Sequence, residues 1–389
     1  MHELLQPLVR FFVSLRLTVV LLVLSIMLVF FATLDQVQLG VWGIQHKWFF
    51  NFIVVQPVKG LPVPVFPGGY FIGGMLLINL VAAHIYRFKF TWKKVGIWLA
   101  HLGLILLIAS QFFTGLEQRE SQLQFHLGET KRYSEDFRLN ELAVINTTDP
   151  KFDDVISIPE SLLEGDTPVQ NPKLPFRIVP RLYYPNSMVQ MRTQAPNAPP
   201  SPATMDIGTQ LAATPQPLTY KENERNMPVA FVELIGPEGS LGTWLVSPWI
   251  DEPQTFDYAG RTWQLVMRFK RYYTPYSMAL LQLKNDVYPG TDIPKNFSSQ
   301  VHIRDDEGKG GRNALIYMNS PLRYGGLTYY QYQMNKVDGL SVLQVVRNPT
   351  WRLPYLACLL VGLGLVIQFS LHLAGFFRKR AAAAIHSTT

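Results

Sequence analysis

Four stretches of the chain stay apolar for long enough to cross a hydrocarbon core, which takes about 20 helical residues at about 1.5 Å each. They run from Leu17 to Leu34, Tyr70 to Tyr86, Val95 to Phe113 and Pro354 to Phe377. The first is longer than the apolar core of a secretory signal, and no A-x-A cleavage pattern follows it, so it reads as a retained helix. The second is short and is opened by Pro67-Gly68-Gly69.

Between the third and fourth runs the period changes. Short stretches rich in β-branched and aromatic residues follow one another, among them "SQLQFHL", "RLNELAVIN", "FRIVPRLYY", "VAFVELI", "RTWQLVMRFKRYY", "ALLQLKN", "LTYYQYQM" and "SVLQVV". Turn signals such as "GPEGS", "YAGR", "YPGT" and "DDEGKGG" separate them. No long amphipathic helix competes. The pattern predicts a polytopic α-helical membrane protein of four spans. A large all-β domain, sandwich-like, is inserted between spans three and four. The expected division is a membrane domain over 1–116, a β-rich domain over 117–353, and a last span with a basic tail over 354–389. Within the β-rich block, 195–217 is proline-rich and nearly uncharged and reads as a mobile loop. The connector 35–69 carries Trp42, Trp48, Phe49, Phe50 and Phe52. It is expected either to lie flat in the membrane interface or to pack on protein, with Pro57, Pro62, Pro64 and Pro67 making an extended return.

Charge sets the orientation. Residues 117–353 carry 24 Lys/Arg and 26 Asp/Glu, whereas the rest of the chain carries 11 Lys/Arg against only Glu3 and Asp35. The basic excess that gives the chain its net +7 therefore sits beside the apolar runs. That is a membrane-orientation pattern and argues against a nucleic-acid surface. Arg10 and Arg16 precede span one; Arg87, Lys89, Lys93 and Lys94 join spans two and three; Arg378, Lys379 and Arg380 follow span four. All nine share one side if there are four spans and both termini are cytoplasmic, which leaves the β-rich block outside.

Candidate chemistry is sparse. The one cysteine, Cys358, lies in span four, so CxxC redox, zinc-ribbon and CxxCH heme attachment are all excluded. Walker A, GxSxG and HExxH patterns are absent, and the acidic runs Asp153-Asp154 and Asp305-Asp306-Glu307 sit beside turn signals, so no catalytic set is assigned. Among eight histidines, His84, His101 and His372 fall inside spans, toward the basic side. His84 and His372 are shallow enough to snorkel to the interface. His101 is deeper, about 9 Å in by helical rise. Two readings stay open for it: a neutral imidazole bonded to a neighbouring helix, or an axial ligand to heme iron. His46, His126 and His302 lie outside the spans. Gly73-Gly74 and Gly362-x-Gly364 fit either close helix approach or lipid-facing positions.

Several stretches together resemble the ResB/CcsB family of cytochrome c biogenesis proteins: "SLRLTVVLLVLSIMLVFFATL", "GIWLAHLGLILLIASQFFTG", "FHLGETKRY", and "NSPLRYGGLTYYQYQM" with "SVLQVVRNPTWRLPYLACLLVGLGLVIQF". The resemblance implies the β-domain subunit of a system II complex in the bacterial cytoplasmic (inner) membrane, with the large domain periplasmic. Such a complex moves heme outward and attaches it to apocytochrome c. It implies heme b in transit as the cofactor, shared with a CcsA-type WWD-domain partner, since this sequence has no WWD segment. By position it implies His101 as the membrane heme and metal ligand; a heme has two axial faces, and the second ligand is expected from the partner or, within this chain, from His84 or His372. The expected role is a non-catalytic subunit. The alternative is a scaffold that holds such a partner and apocytochrome without binding heme, and a transporter or sensor unrelated to heme is the weakest reading.

Overall fold

A computed structural model describes residues 2–87, 90–221, 224–291, 294–305 and 311–386. The chain divides into two compact units, one of residues 1–119 with 347–389, the other Glu120–Val346.

The first unit is helical. Helix α1 (His2–Phe12) turns at Val13-Ser14 into α2 (Leu15–Ile44), which is followed by a single π-turn, Gln45–Phe49. A short hairpin, β1 (Ile53–Val58) and β2 (Leu61–Pro67), precedes α3 (Gly69–Tyr86). Helices α4 (Val95–Glu117) and α5 (Leu353–His386) complete it. Among the described residues four helices are long and apolar enough to cross a membrane. Their outer faces are covered with Leu, Ile, Val and Phe that no protein touches, as at Leu22, Ile26, Phe30, Leu365 and Phe369. Such a surface suits lipid and not water.

The connector takes the packed alternative, but its first residues extend a helix. Helix α2 continues past Leu34, and only at Gly40, with φ of 67°, does the backbone leave the helical path. An L-residue resists that conformation and glycine does not. The anchor is Asp35, whose carboxylate accepts hydrogen bonds from Lys47 Nζ (2.6 Å) and Trp48 Nε1 (2.8 Å) across the bend. Trp48 is buried against Phe31 and Phe66, so the aromatic connector packs on protein. The prolines lie in the paired strands of the hairpin.

Glycines set the closest helix contact. A Cβ on Gly96 would lie 2.4 Å from the Gly364 carbonyl oxygen, one on Gly364 2.5 Å from Ala100 N, and one on Gly103 2.7 Å from the Ala357 carbonyl oxygen. Helices α4 and α5 therefore meet backbone to backbone. Gly73, Gly74 and Gly362 have nothing within 4 Å of such a Cβ. The spacing Gly96, Ala100, Gly103 is a small-residue stripe at i, i+4, i+7.

The second unit is β-rich. A ten-stranded antiparallel sheet runs in the order β14 (Gly311–Tyr317), β13 (Pro294–Asp305), β12 (Arg261–Val287), β4 (Thr130–Asn146), β3 (Arg119–His126), β17 (Leu340–Arg347), β16 (Leu327–Asn335), β15 (Leu322–Tyr324). Strands β5 (Asp154–Pro159) and β11 (Gln254–Tyr258) add to β4 and β12. A three-stranded sheet orders β10 (Gly239–Val246), β9 (Val229–Gly236) and β6 (Arg177–Tyr184). Asp305 ends β13, while Asp306 and Glu307 of the acidic run, like Lys89 of the basic loop, lie outside the described residues.

Two apolar cores share one strand. "RTWQLVMRFKRYY" and "ALLQLKN" read as separate strands in the sequence but form one 27-residue strand, β12. Trp263, Leu265 and Met267 point into a core shared with the three-stranded sheet, beside Ile178, Val232 and Trp244. Tyr276, Met278 and Leu280 point into a second core with Phe125, Val301 and Leu343. The buried set switches from odd to even positions because the pairing with β4 slips between Phe269 and Arg271 and again between Tyr273 and Met278. Pro275 sits in the second slip, where a ladder donor is not required.

The stretch 195–217, read in the sequence as loop, carries a strand in its second half. Strand β8 (Leu211–Pro215) pairs with β7 (Ser187–Met191), and Leu211, Ala212 and Ala213 are buried.

A leucine at Gly364 would have to enter the Ala100 backbone. Gly364→Leu should lower the detergent-solubilised unit's stability by about 1–3 kcal/mol or more, whereas Gly362→Leu should leave it within about 0.5 kcal/mol. Thermal melts of the two variants side by side check this.

Candidate functional site: a histidine pair between two membrane helices

The contact of α4 with α5 fixes how α4 is rolled. Gly96, Ala100 and Gly103 face α5, and Trp98 and His101 face α3. There His101 meets His84, with ring centroids 5.0 Å apart at 39°, and His84 meets Trp98 edge-on at 4.7 Å and 80°. His84 is buried, which removes the snorkelling alternative. His101 is half-buried.

One hydrogen bond decides the chemistry of His101. Its Nδ1 lies 2.8 Å from the Ile97 carbonyl oxygen, one turn earlier. A carbonyl only accepts, so Nδ1 carries the proton. The neutral ring then has its lone pair on Nε2, the arrangement in which an imidazole binds a metal.

The pair is not spread around a flat macrocycle. Two imidazoles bound to opposite faces of one iron stand roughly 6 Å apart between centroids, given metal–nitrogen bonds of about 2 Å. The observed 5.0 Å is shorter and tilted. As they stand, the two rings do not bracket one iron from opposite sides.

The remaining histidines lie elsewhere. His372 is on an uncovered face of α5. His46 lies against Trp42 at 4.1 Å with the rings tilted by 39°, and meets Phe50 edge-on. His126, at the end of β3, lies 3.6 Å from Glu129. Burial works to raise the Glu129 carboxyl, but the His126 backbone N–H and Lys131 outweigh it and hold it below the usual range. His302 pairs with Asn313 at 2.7 Å. Among the described residues no three His, Cys, Asp or Glu side chains converge as a metal site.

The family profile described as ResB-like matches residues 81–339, which include both histidines of the pair. The chain belongs to the ResB-like family. A role in cytochrome c biogenesis goes with that membership. The chain is also 29% identical over 92 residues to Protein NrfI of Wolinella succinogenes. That alignment covers 24% of this chain and 10% of NrfI, so the chain spans a small part of that relative's length.

Sequence reasoning overlooked Asn79. Buried in α3, it accepts a hydrogen bond from Thr18 Oγ1 (2.6 Å) and donates to the Phe12 (2.6 Å) and Ser14 (3.2 Å) carbonyls. It thus ties the α1–α2 elbow to the helix that carries His84. A lone Asn inside an apolar run was the available signal, because an amide in lipid needs partners. Asn79→Leu removes three hydrogen bonds, among them the one to the Phe12 carbonyl, and should cost about 1–3 kcal/mol. A thermal melt checks the loss, and an unchanged melt would show that the elbow holds without it.

Proposed function

We infer that this chain is a subunit of a membrane assembly that conveys heme across the cytoplasmic membrane and presents it, with apocytochrome c, for covalent attachment. The observation that carries the reading is His101. It stands inside the membrane unit with Nδ1–H donated to the Ile97 carbonyl, the tautomer in which Nε2 carries the lone pair that a metal takes. In this reading it supplies one axial nitrogen to heme iron while the cargo is in transit, and His84 borders the same site. Because the paired rings stand too close to bracket one iron, the second ligand in this reading comes from a CcsA-type partner chain or from a separation of the pair.

Four further features support the assignment. The ResB-like membership covers both histidines. The nine basic residues of the short flanks favour cytoplasmic termini by the positive-inside bias, and in this reading the histidine pair lies toward the side on which heme is made. The β-rich unit, in which residues of two sheets share a core, serves in this reading as a periplasmic docking frame for apocytochrome. Its side chains include no thiol, so the reduced cysteines of the attachment step belong to the acceptor, and this subunit orients rather than catalyses.

The direct contact of His84 with His101 favours a second reading, in which the pair is helix packing and the chain is a scaffold without heme. One experiment separates them. The chain purified with a WWD-bearing partner should show a heme Soret band that loses most of its intensity in His101→Gly and regains it with added imidazole. An unchanged band in His101→Gly would remove this residue from heme binding and leave the scaffold.

A further inference from the structure

The α1–α2 elbow builds a second site, separate from the histidine pair. A cavity of about 460 Å³ opens between the elbow and the end of α3, and its wall includes Arg10, Arg16, Arg87 and Tyr86. No carboxylate among the described residues pairs with any of the three guanidinium groups, and all three are exposed. Val9, Val13 and Leu15 supply an apolar side to the same cavity. Next to it, α1 presents Leu8 and Phe11, both more than half exposed. Three unneutralised arginines around one hollow, at the foot of two spans and beside an uncovered apolar helix face, match an amphiphile with an anionic head.

We propose that this cavity binds the phosphate headgroup of an anionic phospholipid, with the acyl chains running along the apolar faces of α1 and α2. Heme carboxylates carry similar charge, but the geometry turns the cavity away from the histidines. At about 100° per residue, Tyr86 lies about 20° from Asn79 around α3, on the face held against the elbow. His84 lies about 140° from Asn79, on the face toward α4. Guanidinium groups suit phosphate because their planar donors fork onto two oxygens. Asn79 fixes the wall on which they stand, since it bonds the carbonyls that flank the turn. The lipid would hold α1 in the interface and so brace the foot of the helix that carries His84.

The test uses the full chain in detergent, with added phosphatidylglycerol or phosphatidylcholine, and native mass spectrometry to count bound lipid. The wild-type chain should retain phosphatidylglycerol in preference to phosphatidylcholine. The preference should fall about fivefold for each of Arg10→Gln, Arg16→Gln and Arg87→Gln. Arg378→Gln with Lys379→Gln, which removes two charges from the far end of α5, should leave it unchanged. Arg16→Gln alone is decisive if either of the other two single variants does not fold. Three outcomes would overturn the site: a preference that survives Arg16→Gln, a tail variant that loses as much, or displacement of the lipid by excess inorganic phosphate. Competition by heme in place of phosphate would reassign the cavity to the cargo and overturn the lipid proposal equally.

Discussion

The close approach of α4 and α5 is the constraint on which the membrane unit depends. In lipid, helices gain nothing from hiding apolar surface, because the solvent is as apolar as leucine. What remains is dispersion between well-fitted surfaces and the occasional hydrogen bond. Gly96, Gly103 and Gly364 let two backbones come within contact distance, so more atoms reach their optimal separation. That contact also has a directional result. With one face of α4 committed to α5, the face that bears Trp98 and His101 must meet α3, and the imidazole of His101 comes to rest against that of His84. The histidine pair is a consequence of where the glycines are.

Polar groups in the two units follow one rule under different solvents. In the membrane unit each polar cluster closes on itself: Asn79 on Thr18 and two carbonyls, Asp35 on Lys47 and Trp48, Thr114 on Thr350. The β-rich unit does the same inside its second core, where hydroxyls pair as Tyr276 with Tyr329, Ser121 with Ser134 and Ser299 with Ser341. Burial and the shared bond push the Tyr329 hydroxyl well above the usual phenol range, so it stays a neutral donor. A buried donor or acceptor without a partner costs about 1–3 kcal/mol in either setting. Charges follow suit. Glu141, nearly buried, accepts from Arg268 at 2.9 Å and from Ser157. Arg225 lies between the rings of Phe137 and Phe269 at 4.4 and 4.3 Å, with its guanidinium donating to Gln122.

Strand β12 gives the β-rich unit its coherence. Two cores in one unit would separate readily if only loops joined them. Here one strand enters both, and its two register slips with β4 rotate the inward face from one core to the other. The break at Thr274-Pro275 looks in the sequence like a boundary between two strands. In the fold it is the place where the alternation changes phase.

Much of the architecture was legible from the amino-acid sequence, because the signals there are local and strong. Apolar runs of helical length identify spans, since lipid leaves an unsatisfied backbone no alternative. Short β-branched runs with turn residues identify a β-rich block for the same reason in water. The lone His101 in such a run, and the motifs shared with the ResB-like family, were visible at that level too. What the sequence could not decide is everything set by which faces meet. It left Gly362 and Gly364 equivalent, and only packing separates them. It read 195–217 as loose because proline and low charge carry no period, although Leu211–Pro215 finds a partner strand. It could not bring His84 to His101, or gather Arg10, Arg16 and Arg87 around one cavity. Those residues are distant along the chain, and their meeting depends on helix rotation and on a bend tied by Asn79. Both are tertiary contacts, with no counterpart in the local pattern.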